Sequence, residues 1–167
     1  MTIAPAPKPV SVSHVEMVEM ILPNDANPLG TAGGGKIMHL IDIAAAIAAH
    51  RHSRRQVVTA SFDELDFLHP VRIGDLVILK ASVNFVDHTS MEVGVKVLSE
   101  NPRTGELRHT ASAYTTFVAL DDLGHPVAVP PLELETDEDR RRNEQARQRR
   151  VSRLAKVAKR GERRTEL

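Results

Sequence analysis

Apolar and polar positions change period twice along the chain, and each change marks an element. Residues 10–22 (VSVSHVEMVEMIL) are rich in Val and Met and read as a strand; PNDANPLG after them collects the residues that interrupt regular structure. In GGKIMHLIDIAAAIAAH, residues 34–50, the pattern predicts a single helix, apolar on nearly every side and therefore buried, with alanines that let other backbone approach. Strand patterns follow. Residues 56–67 begin apolar and then alternate Phe62, Leu65 and Phe67 with Asp63, Glu64 and Asp66. Residues 76–86 are β-branched, residues 91–100 set Met91, Val93, Val95 and Val97 against Glu92 and Lys96, and residues 107–121 form the last long strand. Hairpin-length links join these strands, and the helix comes early. The layout is therefore α+β, an antiparallel sheet around one helix rather than alternating βα units.

The composition changes near Thr136. Acidic Asp137, Glu138 and Asp139 precede a run of Arg and Lys, the order a helix dipole favours, and Thr136 is placed as an N-cap. Val151, Leu154 and Ala158 give a thin apolar stripe, so a charged helix is expected to lie on another surface, a neighbouring subunit among the options. The chain thus divides into a flexible Pro/Ala-rich leader (1–9), a body (10–132) and a charged helical tail (133–167). Net charge is zero, but residues 133–167 hold 12 Lys/Arg against 8 Asp/Glu and the other 132 residues hold 10 against 14. A basic end on an acidic body suits either an anionic partner or a solvated helix.

There is no cysteine, which excludes a disulfide framework, a thiolate nucleophile and a Cys-based zinc site. The N-terminus has no apolar leader and no apolar run reaches about 20 residues, so a cytoplasmic protein with no membrane partner is expected. His50 and His52 are two apart and do not share a helix face, and no HExxH occurs, so no metal is expected. No G-x-S-x-G elbow is present.

The chemistry concentrates in NPLGTAGGGKIMHLID, residues 27–42. Gly30, Gly35 and Lys36 have nearly the spacing of a phosphate loop, but Ile37 stands where Ser or Thr would hold magnesium, and no strand runs directly into the loop. Gly33, Gly34 and Gly35 instead open a buried helix whose first amides lack internal partners. Those amides and the helix dipole favour negative charge, including the oxyanion of a thioester or ester under attack. Two turns on, Asp42 is a lone carboxylate among apolar neighbours, where burial would help it act as a base. The alternative is a structural Asp42 bonded to Lys36, His39 or nearby backbone.

Together with RHSRRQVVTASFDELDFLHPVRIGD, SMEV and AYTTFVALDDLGHPVAVPPL, this stretch resembles the hotdog-fold acyl-CoA thioesterases of the brain acyl-CoA hydrolase type, over residues 10–132 and in order and spacing. The resemblance implies a long central helix wrapped by an antiparallel sheet, and a homodimer in which two sheets join into one. It also implies hexamers built as trimers of dimers, with active sites at the dimer interface, where Asp42 of one subunit works with Thr31 of the other. Amides of Gly34 and Gly35 would polarise the thioester carbonyl. Arg54, Arg55 and Ser90 are the candidates for binding the substrate's coenzyme A phosphates. No cofactor is implied beyond coenzyme A as part of the substrate. The chain departs from some members in having Gly33 where they carry His or Phe. Two other readings share the groove. One is a hydratase or dehydratase using His39 beside Asp42. The other is an acyl-CoA-binding regulator whose tail contacts nucleic acid, a partner not expected here because the tail lacks stacking aromatics.

Overall fold

A computed structural model describes residues 5–165. Its elements in order are β1 (Lys8–Pro9), β2 (Val15–Met20), α1 (Gly34–Ser53), β3 (Gln56–Phe67), β4 (Leu76–Val86), β5 (Ser90–Glu100), β6 (Leu107–Leu120), β7 (Leu132–Glu133) and α2 (Asp137–Thr165). Five strands form one fully antiparallel sheet in the order β2-β4-β5-β6-β3, so β2 and β3 are its edges. This is the expected α+β hotdog layout, a sheet curled on one long helix.

The period-2 pattern explains the core. Val77, Leu79, Ala81 and Val83 of β4 and Met91, Val93, Val95 and Val97 of β5 are all buried on the face that meets α1. From α1 come Ile37, Leu40, Ile41, Ala44, Ala45, Ala48 and Ala49, and the alanines bring sheet and helix close. The expectation of a helix buried all round is corrected. A single sheet covers only one side, and the opposite stripe (Gly35, Met38, His39, Asp42, Ala46, His50) is exposed or half-exposed.

Two other expectations change. The strand expected over residues 10–22 is shorter, because Val10–Ser13 wind into a 3₁₀ turn. There Ser13 Oγ donates to Val10 O (2.7 Å) and accepts from the Val83 amide (2.9 Å). Part of the leader expected to be flexible is instead held by the segment after residue 126, which turns back on the body. Val129 is buried in the core, and β7 pairs in parallel with β1, drawing Lys8 and Pro9 of the Pro/Ala-rich leader into the fold.

This clasp is fastened at the end of α1 by His52, fully buried, whose Nε2 donates to Pro130 O at 2.7 Å, while Lys8 Nζ donates to His52 O at 2.8 Å. The bond to Pro130 fixes the tautomer and leaves Nδ1 without a partner among the described residues. Burial, foremost, and the nearby Lys8 charge hold the imidazole below its ordinary pKa, against the pull of the Pro130 carbonyl. A depressed histidine pKa stabilises the fold fully above the unfolded value of 6.5, and the contribution is lost as pH falls below it. The melting temperature is therefore expected to drop on acidification from pH about 7.5 to about 5.5, and to drop less in His52→Gln, whose amide can keep the bond to Pro130 but cannot titrate.

The other face of the sheet is polar and is covered by α2. Asn143 Nδ2 donates to Asn84 O (2.9 Å), and Arg149 pairs with buried Glu92 (2.7 Å) while lying 3.5 Å over the Tyr114 ring. Arg150 pairs with Asp87, and Arg153 with Asp63. The tail is held on its own sheet by these ion pairs, and Val151 and Leu154 of its thin apolar stripe are exposed. Gly94 is small because Asn84 lies across it: a Cβ there would come within 2.5 Å of Asn84 Nδ2. Among the described residues no helix is long and apolar enough to cross a membrane.

Candidate active site

The loop before α1 is organised by Asn27. Its Oδ1 accepts from the amides of Leu29 (3.0 Å) and Thr31 (3.2 Å), an Asx turn that the Asn-Pro-Leu-Gly sequence favours. Its side chain also bonds Thr31 Oγ1, with Nδ2 at 3.0 Å. Gly30 follows with φ +75°, a conformation suited to glycine. The Ala32 amide then bonds Val71 O (2.8 Å), which ties the loop to the strand connection before β4.

Lys36, unassigned by the sequence reading, anchors the helix start. Its ammonium pairs with Asp25 (3.2 Å) and Glu19 (3.4 Å), and Asp25 O accepts the Gly33 amide (3.0 Å). The Leu22 amide and Lys36 hold the Asp25 carboxyl below its usual pKa range, against partial desolvation. Lys36 is thus engaged with carboxylates rather than poised over a phosphate nest.

Gly34 and Gly35 open α1 with their amides exposed, and among the described residues neither amide donates a hydrogen bond. Glycine in place of alanine in a helix typically costs ~1 kcal/mol. Nothing within the chain demands it here: a Cβ at Gly35 would meet nothing within 4 Å, and one at Gly34 would only touch Phe67 at 3.7 Å. The bare amides therefore leave room for something outside the chain. Beside them is a cavity of about 340 Å³, whose lining includes Thr31, Gly34, Ile37, Phe67, Leu68 and Val71. Thr31 and Gly34 are thus brought together on an apolar pocket.

Asp42 is elsewhere. It is half-exposed on the open stripe of α1, and its Oδ1 accepts from Thr59 Oγ1 at 2.7 Å. No bond to Lys36 or His39 is present among the described residues. Thr59 stands opposite Phe117 in the sheet register, facing α1, just before a bulge between Thr59 and Ser61. The sequence reading passed over both Thr59 and Asn27. The available signals were a hydroxyl at a helix-facing strand position and an Asx-turn sequence. Eight residues of helix separate Gly34 from Asp42, about 12 Å along the axis. A carboxylate must come within about 3 Å of the proton it removes. One chain cannot bring its own Asp42 to a carbonyl held by its own Gly34 and Gly35.

Arg54 and Arg55 line a second cavity of about 490 Å³ at the end of α1, together with His50, Arg51, Gln56 and Asp122. Ser90 is not brought to it. Ser90 starts β5 opposite Val118, which is itself opposite Val58, on the sheet face away from α1. Arg54 adopts a left-handed conformation (φ 55°) and its amide caps His50 O, ending the helix there. Of the two expected histidines, His50 Nδ1 bonds Arg55 O and His52 is the buried clasp residue. Among the described residues no three His, Asp or Glu side chains gather as a metal site requires.

Residues 29–106 match the thioesterase superfamily model. The uncharacterized acyl-CoA thioester hydrolase YkhA of Bacillus subtilis (strain 168) is 46% identical over 127 residues, 76% of this chain and 74% of YkhA. A hexameric acyl-CoA thioesterase superposes with a TM-score of 0.89 at 40% identity, covering 92% of this chain and 98% of the other. The acyl-CoA hydrolase of Staphylococcus aureus, solved with butyryl coenzyme A, coenzyme A and coenzyme A disulfide, superposes with a TM-score of 0.87 at 37% identity over 93% of this chain and 94% of its own. Variants of that hydrolase with alanine in place of an aspartate, an asparagine and a threonine share the fold, with TM-scores of 0.89, 0.90 and 0.85. The chain belongs to the family of acyl-CoA thioester hydrolases, and it is an enzyme that hydrolyses thioesters.

Proposed function

We propose that the protein hydrolyses acyl-CoA to a free carboxylic acid and coenzyme A at a site assembled from two subunits. The observation that carries this is the pair of amides at Gly34 and Gly35, without hydrogen-bond acceptors among the described residues, where Gly34 lines an apolar pocket out of reach of the chain's own Asp42. The acyl chain enters the pocket, and the thioester oxygen takes hydrogen bonds from the two amides, which strengthen as it becomes an oxyanion. Asp42 of the other subunit accepts a proton from water as the water oxygen bonds to the carbonyl carbon. The carbon–sulfur bond then breaks and the departing thiolate takes up the proton. Attack by the carboxylate itself, forming an anhydride that water then cleaves, uses the same atoms. Thr31, fixed by Asn27, positions the water or the carboxylate, and Thr59 orients Asp42. In the S. aureus hydrolase the three replaced residues carry numbers one above Asp42, Asn27 and Thr59, which supports this assignment. The reaction consumes only water, so no resident cofactor is called for, and a cytoplasmic location suits the substrate.

The second subunit is expected at β3. This edge strand is 12 residues long with no neighbour on its outer side among the described residues, and it carries the half-exposed Val58 and Phe67. Antiparallel pairing of β3 with its copy joins the two sheets and covers the open stripe of α1. A trimer of such dimers gives a hexamer, the assembly seen in similar thioesterases. Arg54, Arg55 and their cavity are the coenzyme A phosphate site in this reading; Ser90, on the opposite sheet face, could reach the same ligand only through another subunit.

Thiol release from saturated acyl-CoAs of short, medium and long chain tests the activity. Thr59→Val is expected to lower kcat about ten- to a hundredfold with KM little changed, the value of one hydrogen bond to a charged group. Parent-level turnover by this variant would remove Thr59 from the site.

A further inference from the structure

Helix α2 crosses the outer face of the sheet nearly at right angles to the strands. Asn143 bonds β4 at Asn84, Arg149 bonds β5 at Glu92 and covers Tyr114 of β6, and Arg153 pairs with Asp63 of β3. From Asn143 to Arg153 a helix rises about 15 Å. Three strand spacings, β4 to β3, span about 14 Å. The two lengths agree, so α2 reaches the sheet edge at Arg153. The rest of the helix, residues 154–165, then overhangs that edge by about 18 Å.

The overhang is not built for water alone. Leu154 and Val157, one helical turn apart, are 48% and 58% exposed. From residue 154 onward the sequence holds five Lys/Arg against two Asp/Glu. The edge it overhangs has the complementary character: on its outer face β3 presents the half-exposed Val58 and the exposed acids Glu64 and Asp66. Antiparallel pairing of two β3 strands over their full length sets the middle of one against the middle of the other, where Arg153 meets Asp63. A helix leaving one sheet at that point passes over the outer face of the partner's β3.

We propose that the distal part of α2 is an intersubunit strap: Leu154 and Val157 pack on the outer face of β3 of a second copy of this chain, with the basic residues around them facing its acids. The inference rests on the β3-paired dimer proposed above and adds a second contact to it. By twofold symmetry each subunit gives and receives one strap. The proposed active sites lie on the opposite sheet face, so the strap would hold the two halves of each site together without touching substrate.

Two variants test it. One chain ends after Arg153 and so keeps every hydrogen bond and ion pair that α2 makes with its own sheet among the described residues. The other is the full-length Leu154→Asp/Val157→Asp variant. Circular dichroism monitors folding, and sedimentation velocity over a dilution series monitors association alongside thiol release. Both variants are expected to stay folded and to dissociate at concentrations about tenfold higher or more than the parent does, since burial of two such side chains is lost. High salt should weaken association of the parent more than that of the truncated chain. If the truncated chain associates as tightly as the parent, the strap is overturned and the β3 dimer stands. If the parent hydrolyses acyl-CoA while monomeric, the two-subunit site fails and the strap fails with it.

Discussion

Asp42→Asn, folded and still associated, is expected to hydrolyse acyl-CoA on the order of 10²–10⁴-fold more slowly than the parent, the usual value of a positioned base. The amide is nearly isosteric with the carboxylate and can still accept from Thr59 Oγ1, so the loss would report chemistry rather than packing. Asp42→Ala should fall at least as far and would leave Thr59 without its partner. The substitution is structurally mild because Asp42 is half-exposed in the chain and, among the described residues, bonded to one hydroxyl and to no cation. Single-turnover thiol release and thermal melts of the same preparations are the measurements. Parent-level turnover by a stable Asp42→Asn variant would assign the reaction to other groups.

The sequence led to Asp42 because a carboxylate on an otherwise apolar helix is conspicuous. It could not show that the helix is apolar for two reasons at once. Ile37, Leu40, Ile41, Ala44, Ala45, Ala48 and Ala49 face the chain's own sheet, while Met38, Ile43 and Ala46 lie on or beside the stripe left for another surface. Both sets look like core in a hydropathy pattern, which carries no record of which chain supplies the cover. Glycines 33–35 were legible as a helix start with free amides, since that follows from local geometry. Thr59 was not, because its bond to Asp42 spans 17 residues and depends on the sheet register. Lys36 was ambiguous for the same reason: its partners Asp25 and Glu19 are brought to it by the fold of the preceding loop. Strands β3 to β6 were read almost to the residue because alternation is local, while β2 was read too long at both ends. The clasp of β1 with β7 was missed because two residues on each side carry no periodic signal.

Separation of Asp42 from Gly34 and Gly35 within one chain leads to the sharpest expected result. Gly35→Val should fold, since a Cβ at that position meets nothing within 4 Å, yet it should crowd the carbonyl away from the amides. Gly35→Val and Asp42→Asn chains are each expected to be nearly inactive alone. Produced together in equal amounts, half of the dimers are mixed. Each mixed dimer has one site with both defects and one with neither, because the Gly35→Val chain still supplies Asp42 and the Asp42→Asn chain still supplies its amides. Activity should therefore return to about a quarter of the parent value, as twofold sharing of two sites requires. Sites contained within single chains would give no recovery, since every chain would carry one defect. The same preparation, diluted until the subunits separate, should lose that activity again.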